Sequence, residues 1–244
     1  MCGRYSLIKS LGVREADRLG LLGWAQLKLP MPDLSRYNIA PTQQALIVRE
    51  HDGRRELVQA RWGLIPGWTK DPKAGPTLIN TRSETIAEKP TFKNALKRRR
   101  CLVPADGFYE WAPLPEGAKK TEKKQPWWFR RADEEPFAFA GLWESWTPPE
   151  GPAIESFTII TTTANDLIAP IHDRMPVILP ESAYATWLDT DIQEPEAVLP
   201  LLVPYPAECM KSQPVSKRLN STRGEDDPSL ILPDDQPAGQ LKLF

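Results

Sequence analysis

Twenty-six of the 244 residues are proline and 14 are glycine, with no Gly/Ser-rich linker among them. Proline fixes φ and removes a backbone donor, so it ends helices and interior strands, while glycine marks turns. A chain punctuated this often folds as many short strands and turns around a few short helices. Hydrophobic residues at 41% and charged residues at 26% allow a packed core and exclude wholesale disorder. No internal repeat is visible, so one domain is expected. No stretch approaches the ~18 apolar residues of a membrane helix. Met1-Cys2-Gly3-Arg4-Tyr5-Ser6 has no signal-peptide core. A soluble cytoplasmic monomer without a membrane partner is the expectation.

Three cysteines (Cys2, Cys101, Cys209) are too few and too scattered for a disulfide framework or a zinc knuckle. The only histidines are His51 and His172, with no Cys-x-x-Cys or His-x-x-x-His pair. No metal and no cofactor are therefore expected. The net charge of −1 hides a division: residues 1–131 carry 25 basic against 13 acidic side chains, and residues 132–244 carry 6 against 19. A neutral protein with one basic half can bind a polyanion through its local field; alternatively the two halves attract each other.

Helical spacing predicts a helix over residues 12–22. Ala45–Arg49 and Leu57–Trp62 flank the turn signal His51-Asp52-Gly53, which puts His51 on a hairpin tip, a poor place for catalysis. A second helix over 91–99 ends in Lys97-Arg98-Arg99-Arg100, where basic residues suit a helix C-terminus. Strands are expected over 101–104, 107–112, 126–131, 136–143 and 156–163, and a basic loop over Pro113–Gln125. Pro180–Leu188 reads as a helix with proline in its first turn. Residues 221–244 read as an acidic, flexible tail after a domain of residues 1–220. The pattern is α+β, built on an open or barrel-like sheet with peripheral short helices.

Four clusters can carry chemistry. Loss of the initiator methionine would leave Cys2 as a 1,2-aminothiol, with an amine pKa of about 7.7–8.0 and a thiol pKa of about 8.5. Such a residue condenses with an aldehyde to an imine that its thiol closes to a thiazolidine, or it acts as an N-terminal nucleophile in hydrolysis. Alternatively, Cys2 is an ordinary buried cysteine. His172, in Ile171-His172-Asp173-Arg174-Met175-Pro176, is either the site's imidazole acid/base or a structural histidine bonded to Asp173. Glu110 lies among aromatics in Gly107-Phe108-Tyr109-Glu110-Trp111. Burial there would raise its pKa for proton transfer, unless it sits on a solvent face. In Ile79-Asn80-Thr81-Arg82-Ser83, Asn80 can hold a reacting atom and Arg82 a phosphate, or the segment merely caps a helix. Aromatic and basic residues also interleave (Arg61, Trp62, Trp68, Lys70, Lys73, then Trp111, Trp127, Trp128, Arg130), the composition of a single-strand groove. Trp143, Trp146 and Trp187 are expected in the core instead.

Taken together, the segments resemble the SRAP family of SOS-response-associated peptidases and abasic-site-processing proteins. The resemblance rests on Met1–Arg4, Arg36–Thr42, Arg61–Trp68, Ile79–Thr85, Arg99–Trp111, Ile171–Pro176 and Pro214–Ser216, seven motifs in family order across residues 1–220. It implies a mixed α+β fold with a central barrel-like sheet and a basic groove. It further implies capture of abasic sites in single-stranded DNA as a covalent thiazolidine crosslink through Cys2, with weak lyase activity as a side path. Cys2, Asn80, Glu110 and His172 are then the catalytic set. Arg4, Arg82 and Arg174 fall in motifs that hold phosphates, and Pro41 and Trp68 in segments that pack on bases. In a bacterium the protein would join the nucleoid during DNA damage. Autocatalytic removal of Met1 or a short leader is the one peptide cut expected of this chemistry; the competing readings are a thiol peptidase or amidohydrolase using Cys2 and His172, and a non-catalytic single-strand binding module.

Overall fold

The computed structural model describes residues 2–8, 35–71, 77–119, 121–224 and 226–233, so the helix expected over 12–22 lies outside it. The hairpin forms as the turn signal dictates: β3 (Gln44–His51) and β4 (Arg54–Trp62) pair antiparallel from Gln44↔Arg61 to His51↔Arg54. The strands expected downstream form as β6 (Arg100–Ala105), β7 (Gly107–Trp111), β8 (Pro126–Arg131), β9 (Phe137–Trp146) and β10 (Ile154–Thr163). β3 pairs with β6, β6 with β9, and β9 with β10, all antiparallel. Parallel pairing of β10 with β4 closes these five strands into a ring. Closure removes the sheet edges that a row of short strands would otherwise expose. β9 and β10 are buried over most of their length.

A second sheet lies against this barrel. It runs in the order β13 (Met210–Pro214), β8, β7, β1 (Tyr5–Leu7) and β2 (Arg36–Ile39). Tyr5 of β1 meets Trp62 of β4 edge-on at 5.2 Å between ring centroids, and Phe139 of β9 at 5.8 Å. The N-terminal strand is thereby packed into the main core. Around it run short helices: α1 (Pro90–Arg98), with proline in its first turn, then α2 (Tyr184–Leu188) and α3 (Pro195–Val198). The expected helix over 180–188 divides into a 3-10 turn, Glu181–Ala183, followed by α2. In the basic run after α1, Arg100 is buried and donates to the carbonyls of Leu96, Lys97, Trp187 and Asp189. It closes the helix end and ties it to α2.

Asp106-Gly107 does more than turn the chain. The Asp106 carboxylate accepts Ser6 Oγ at 2.6 Å and the Ile8 N–H at 2.5 Å, and Trp128 Nε1 donates to Ser6 Oγ at 3.0 Å. A Cβ on Gly107 would lie 1.9 Å from Trp128 Nε1. Gly107→Ala is expected to displace the indole and break this buried network, costing roughly 2–4 kcal/mol in a denaturant titration.

The folded chain also continues past the boundary near residue 220 that composition suggests. Leu230 is buried with Tyr37, Tyr109, Trp128, Val215 and Leu219 in a second small core. Asp226 accepts from the Tyr37 N–H at 2.6 Å and from Arg36 Nε at 2.8 Å. Asp226 thus ties this part of the tail to Arg36 of the first half, while Asp227 pairs with Arg218 nearby in sequence, at 3.0 Å.

Candidate active site

Backbone pairing brings the Cys2 cluster to the Glu110 cluster. β1 and β7 are antiparallel, Tyr5↔Phe108 and Ser6↔Gly107, and the Tyr109 N–H donates to Arg4 O at 3.0 Å. That ladder runs Cys2-Gly3 alongside Glu110. Alternation along β7 sends Phe108 toward the main core and Tyr109 toward the second one, so Glu110 shares the Phe108 face. Cys2, fully buried, belongs to the same core.

Two sets of interactions bring in the others. Asn80, at the start of β5 (Asn80–Arg82), donates from Nδ2 to Cys2 O at 2.7 Å. Its Oδ1 is buried and has no hydrogen-bond partner among the described residues. β5 runs parallel to β10, and β11 (Arg174–Pro176) runs antiparallel to the same end of it, with Arg82 and Pro176 both opposite Thr161. His172 lies two residues before β11. Its Nδ1 accepts the Arg174 N–H at 3.0 Å, so Nε2 carries the proton of the neutral ring. Asp173 Oδ1 also lies 3.0 Å from Nδ1, but its side chain is 84% exposed and well screened.

The electrostatics follow burial. Glu110 is 3% exposed, and desolvation raises its pKa to about 7 against the opposing pull of the N-terminal ammonium; more weakly, the charge of Asp173 adds to the rise and that of Lys124 opposes it. Burial pushes the Cys2 thiol well above its ordinary value, and the neighbouring Glu110 carboxylate adds to the shift. Burial lowers the His172 pKa, which favours the neutral imidazole. The arrangement therefore offers a protonated thiol, a carboxyl group poised to give or take a proton near neutrality, and a neutral histidine. All three flank a backbone held by an asparagine.

The profile of the SOS response associated peptidase (SRAP) family matches residues 1–222. The chain belongs to the SRAP family. It is 43% identical over 232 residues to the abasic site processing protein YoqW of Bacillus subtilis, covering 95% of this chain and 99% of that one. It is 33% identical over 231 residues to the abasic site processing protein YedK of Escherichia coli, covering 92% and 96%. A crystal structure of a Bacteroides thetaiotaomicron protein superposes with a TM-score of 0.76 at 28% identity, covering 95% of this chain and 99% of that one.

Around this SRAP site the remaining residues differ in how free they are. Arg82 is exposed and has no ion-pair partner among the described residues. By strand alternation it shares the face of Asn80. Arg4 is half-buried, donating to Asn38 Oδ1 at 2.7 Å and Leu219 O at 2.8 Å, with its guanidinium 5.7 Å from the Trp111 ring centre. Arg174 is buried and clamped by both oxygens of Glu84 at 2.5 and 2.9 Å, and it also donates to Thr161 O at 2.7 Å. The same contacts hold the Glu84 carboxyl below its usual range. Pro41 is half-buried, and Trp68 is 73% exposed.

The interleaved aromatic and basic series is not one continuous groove. Trp62 and Trp128 are core residues, 0% and 8% exposed, and Arg130 packs on the Trp128 ring at 4.4 Å. Lys73 lies outside the described residues. Trp143, Trp146 and Trp187 are buried, as expected. Glu84, within the Ile79–Thr85 motif, and Lys124, within the basic loop, act on the site in ways that the sequence does not assign to them. Their partners Arg174 and Glu110 lie elsewhere in the chain, and no spacing rule connects them.

Proposed function

We propose that the protein captures abasic sites in single-stranded DNA by forming a thiazolidine through Cys2 once Met1 has been removed. The observation that carries this reading is Cys2 held by Asn80 beside a carboxyl group with a pKa of about 7. The similarity to abasic site processing proteins over nearly the whole chain points to the same lesion.

In this mechanism the ring-opened deoxyribose presents its C1′ aldehyde to the Cys2 amine. The amine adds to the carbonyl, and the carbinolamine loses water to give an imine. Glu110 supplies the proton for the departing oxygen and recovers one afterwards, a role suited to a group that titrates near neutrality. Asn80 Nδ2 fixes the Cys2 carbonyl, and its buried Oδ1 is the acceptor that orients the amine. The proton on His172 Nε2 serves the sugar oxygen during ring opening. The thiol then adds to the imine carbon, forming the C–S bond while its proton passes to nitrogen. The net reaction is aldehyde plus aminothiol giving thiazolidine and one water. Because the imine is consumed, strand cleavage by elimination is suppressed and remains a minor lyase path.

Arg82 and Arg4 flank this chemistry and meet phosphates, and Trp68 and Pro41 pack on neighbouring bases. Arg174, already neutralised by Glu84, acts on the reaction by positioning His172 through its backbone N–H. A cysteine peptidase needs a readily formed thiolate. Burial and Glu110 both work against one here.

The test compares a strand carrying a natural abasic site with one carrying a tetrahydrofuran analogue, which has no C1′ hydroxyl and cannot open. A heat-stable adduct with the natural lesion alone is expected. Equal adducts with both strands would remove the aldehyde from the mechanism.

A further inference from the structure

A cavity of about 440 Å³ lies beside the site, within the range of roughly 300–1,000 Å³ typical of ligand pockets. Among the described residues, Arg36, Lys123, Arg218 and Arg223 line it with Asn38 and one carboxylate, Asp226. Two of the arginines are fixed in place: Arg36 by Asp226 and Gln43, at 2.8 and 2.7 Å, and Arg218 by Asp227 at 3.0 Å and Ser229 at 2.5 Å. Lys123 and Arg223 are exposed and have no ion-pair partner among the described residues. The cavity thus carries excess positive charge on a braced wall.

Its position joins it to the chemistry. Asn38, in the cavity wall, accepts from Arg4, and Leu219, next to Arg218, supplies Arg4's second acceptor. Arg4 is two residues, at most about 7 Å of backbone, from Cys2. On the other side, Lys123 lines the cavity while the adjacent Lys124 acts electrostatically on Glu110. Asn220 Nδ2 holds this loop by donating to Lys124 O at 3.1 Å. The end of the basic loop at Lys123-Lys124 is therefore held between cavity and active site.

We infer that this cavity, bounded by Arg36, Lys123, Arg218 and Arg223, holds the sugar–phosphate backbone of the DNA strand on one flank of the lesion. This rests on the proposed abasic-site reading and adds a second anchoring region to it. Among the described residues no aromatic side chain lines the cavity, so this lining offers no stacking platform and grips backbone without regard to base identity.

The test uses Lys123→Glu combined with Arg223→Glu, both exposed positions away from the reacting groups. Affinity is read by fluorescence anisotropy on lesion-free single strands and on strands truncated on either side of the lesion. On full-length strands the variant is expected to bind roughly tenfold more weakly. Its log–log salt slope should be shallower by about 1.4, because two phosphates are no longer neutralised. Truncating one particular flank should weaken the wild type to the level of the variant and leave the variant unchanged. Crosslink yield at saturating DNA should persist in the variant. Equal affinity of variant and wild type for every strand would overturn the inference while leaving the crosslinking chemistry intact. If the wild type forms no crosslink, the functional reading fails, and the affinity comparison still decides what the cavity binds.

Discussion

Cys2→Ala, prepared without Met1, is expected to give less than about one per cent of the wild-type heat-stable adduct with an abasic strand. Alanine at position 2 keeps the α-amine, so imine formation survives and only ring closure is lost. Borohydride reduction should therefore trap a covalent product from the variant, whereas the untreated product falls apart on heating. Strand scission should rise at the same time, because the imine now persists long enough for elimination. Affinity for lesion-free strands should stay unchanged, since among the described residues the Sγ atom's hydrogen-bond contact is to Arg4 O. Retention of the heat-stable adduct by this variant would assign the bond to another nucleophile.

The second large effect is at Glu110, where activity and stability should move in opposite directions. Glu110→Gln removes the proton shuttle, and adduct formation should slow by roughly 10²–10⁴-fold. The wild-type rate should change with pH around 7, where Glu110 titrates, and the variant should lose that inflection. The stability effect follows from linkage. The folded protein holds this proton up to about pH 7, whereas an unperturbed carboxyl releases it near 4.5. Between those values the native state binds more protons than the unfolded chain, so this residue's contribution falls as pH rises. The full penalty is present above pH 7, and glutamine carries none of it. The variant should thus be the more stable protein at pH 8, by up to roughly 3 kcal/mol, with the advantage shrinking as pH falls from 7 to 4.5 and absent below that. Urea titrations at pH 8 and pH 4 measure it, and equal stability at both would mean that Glu110 is not buried as a strained carboxylate.

Much of the barrel was legible because its strands carry alternation or continuous apolar runs between turn signals, as in Gln44–His51, Arg100–Ala105 and Ile154–Thr163. Its closure was not legible. The parallel contact of β10 with β4 consists of Ser156↔Arg61 and Phe157↔Trp62, and backbone pairing leaves no mark in side-chain order. The short strands at the site escape sequence reading for a related reason. Three residues such as Asn80–Arg82 or Arg174–Pro176 are too few to show a period, and their neighbours hold them in place.

The candidate site divides the same way. Cys2, Asn80, Glu110 and His172 stand out as residue types in motifs, but it is the β1–β7, β5–β10 and β11–β10 pairings that bring them together. Composition alone could not separate the exposed Trp68 from the buried Trp62 six residues earlier. Nor could it show that Arg174 is paired with Glu84, 90 positions away, while Arg82 is exposed. Basic residues look alike in sequence, and their charge is available to DNA only where no carboxylate has taken it.

The most direct measurement is intact mass spectrometry of the Met1-less protein after reaction with a single-stranded oligonucleotide carrying one abasic site, followed by peptide mapping of the adduct. A heat-stable species is expected, with the summed mass of protein and DNA less one water and the modification mapped to Cys2. A modification mapped to a lysine, or no adduct from correctly processed protein, would contradict thiazolidine capture.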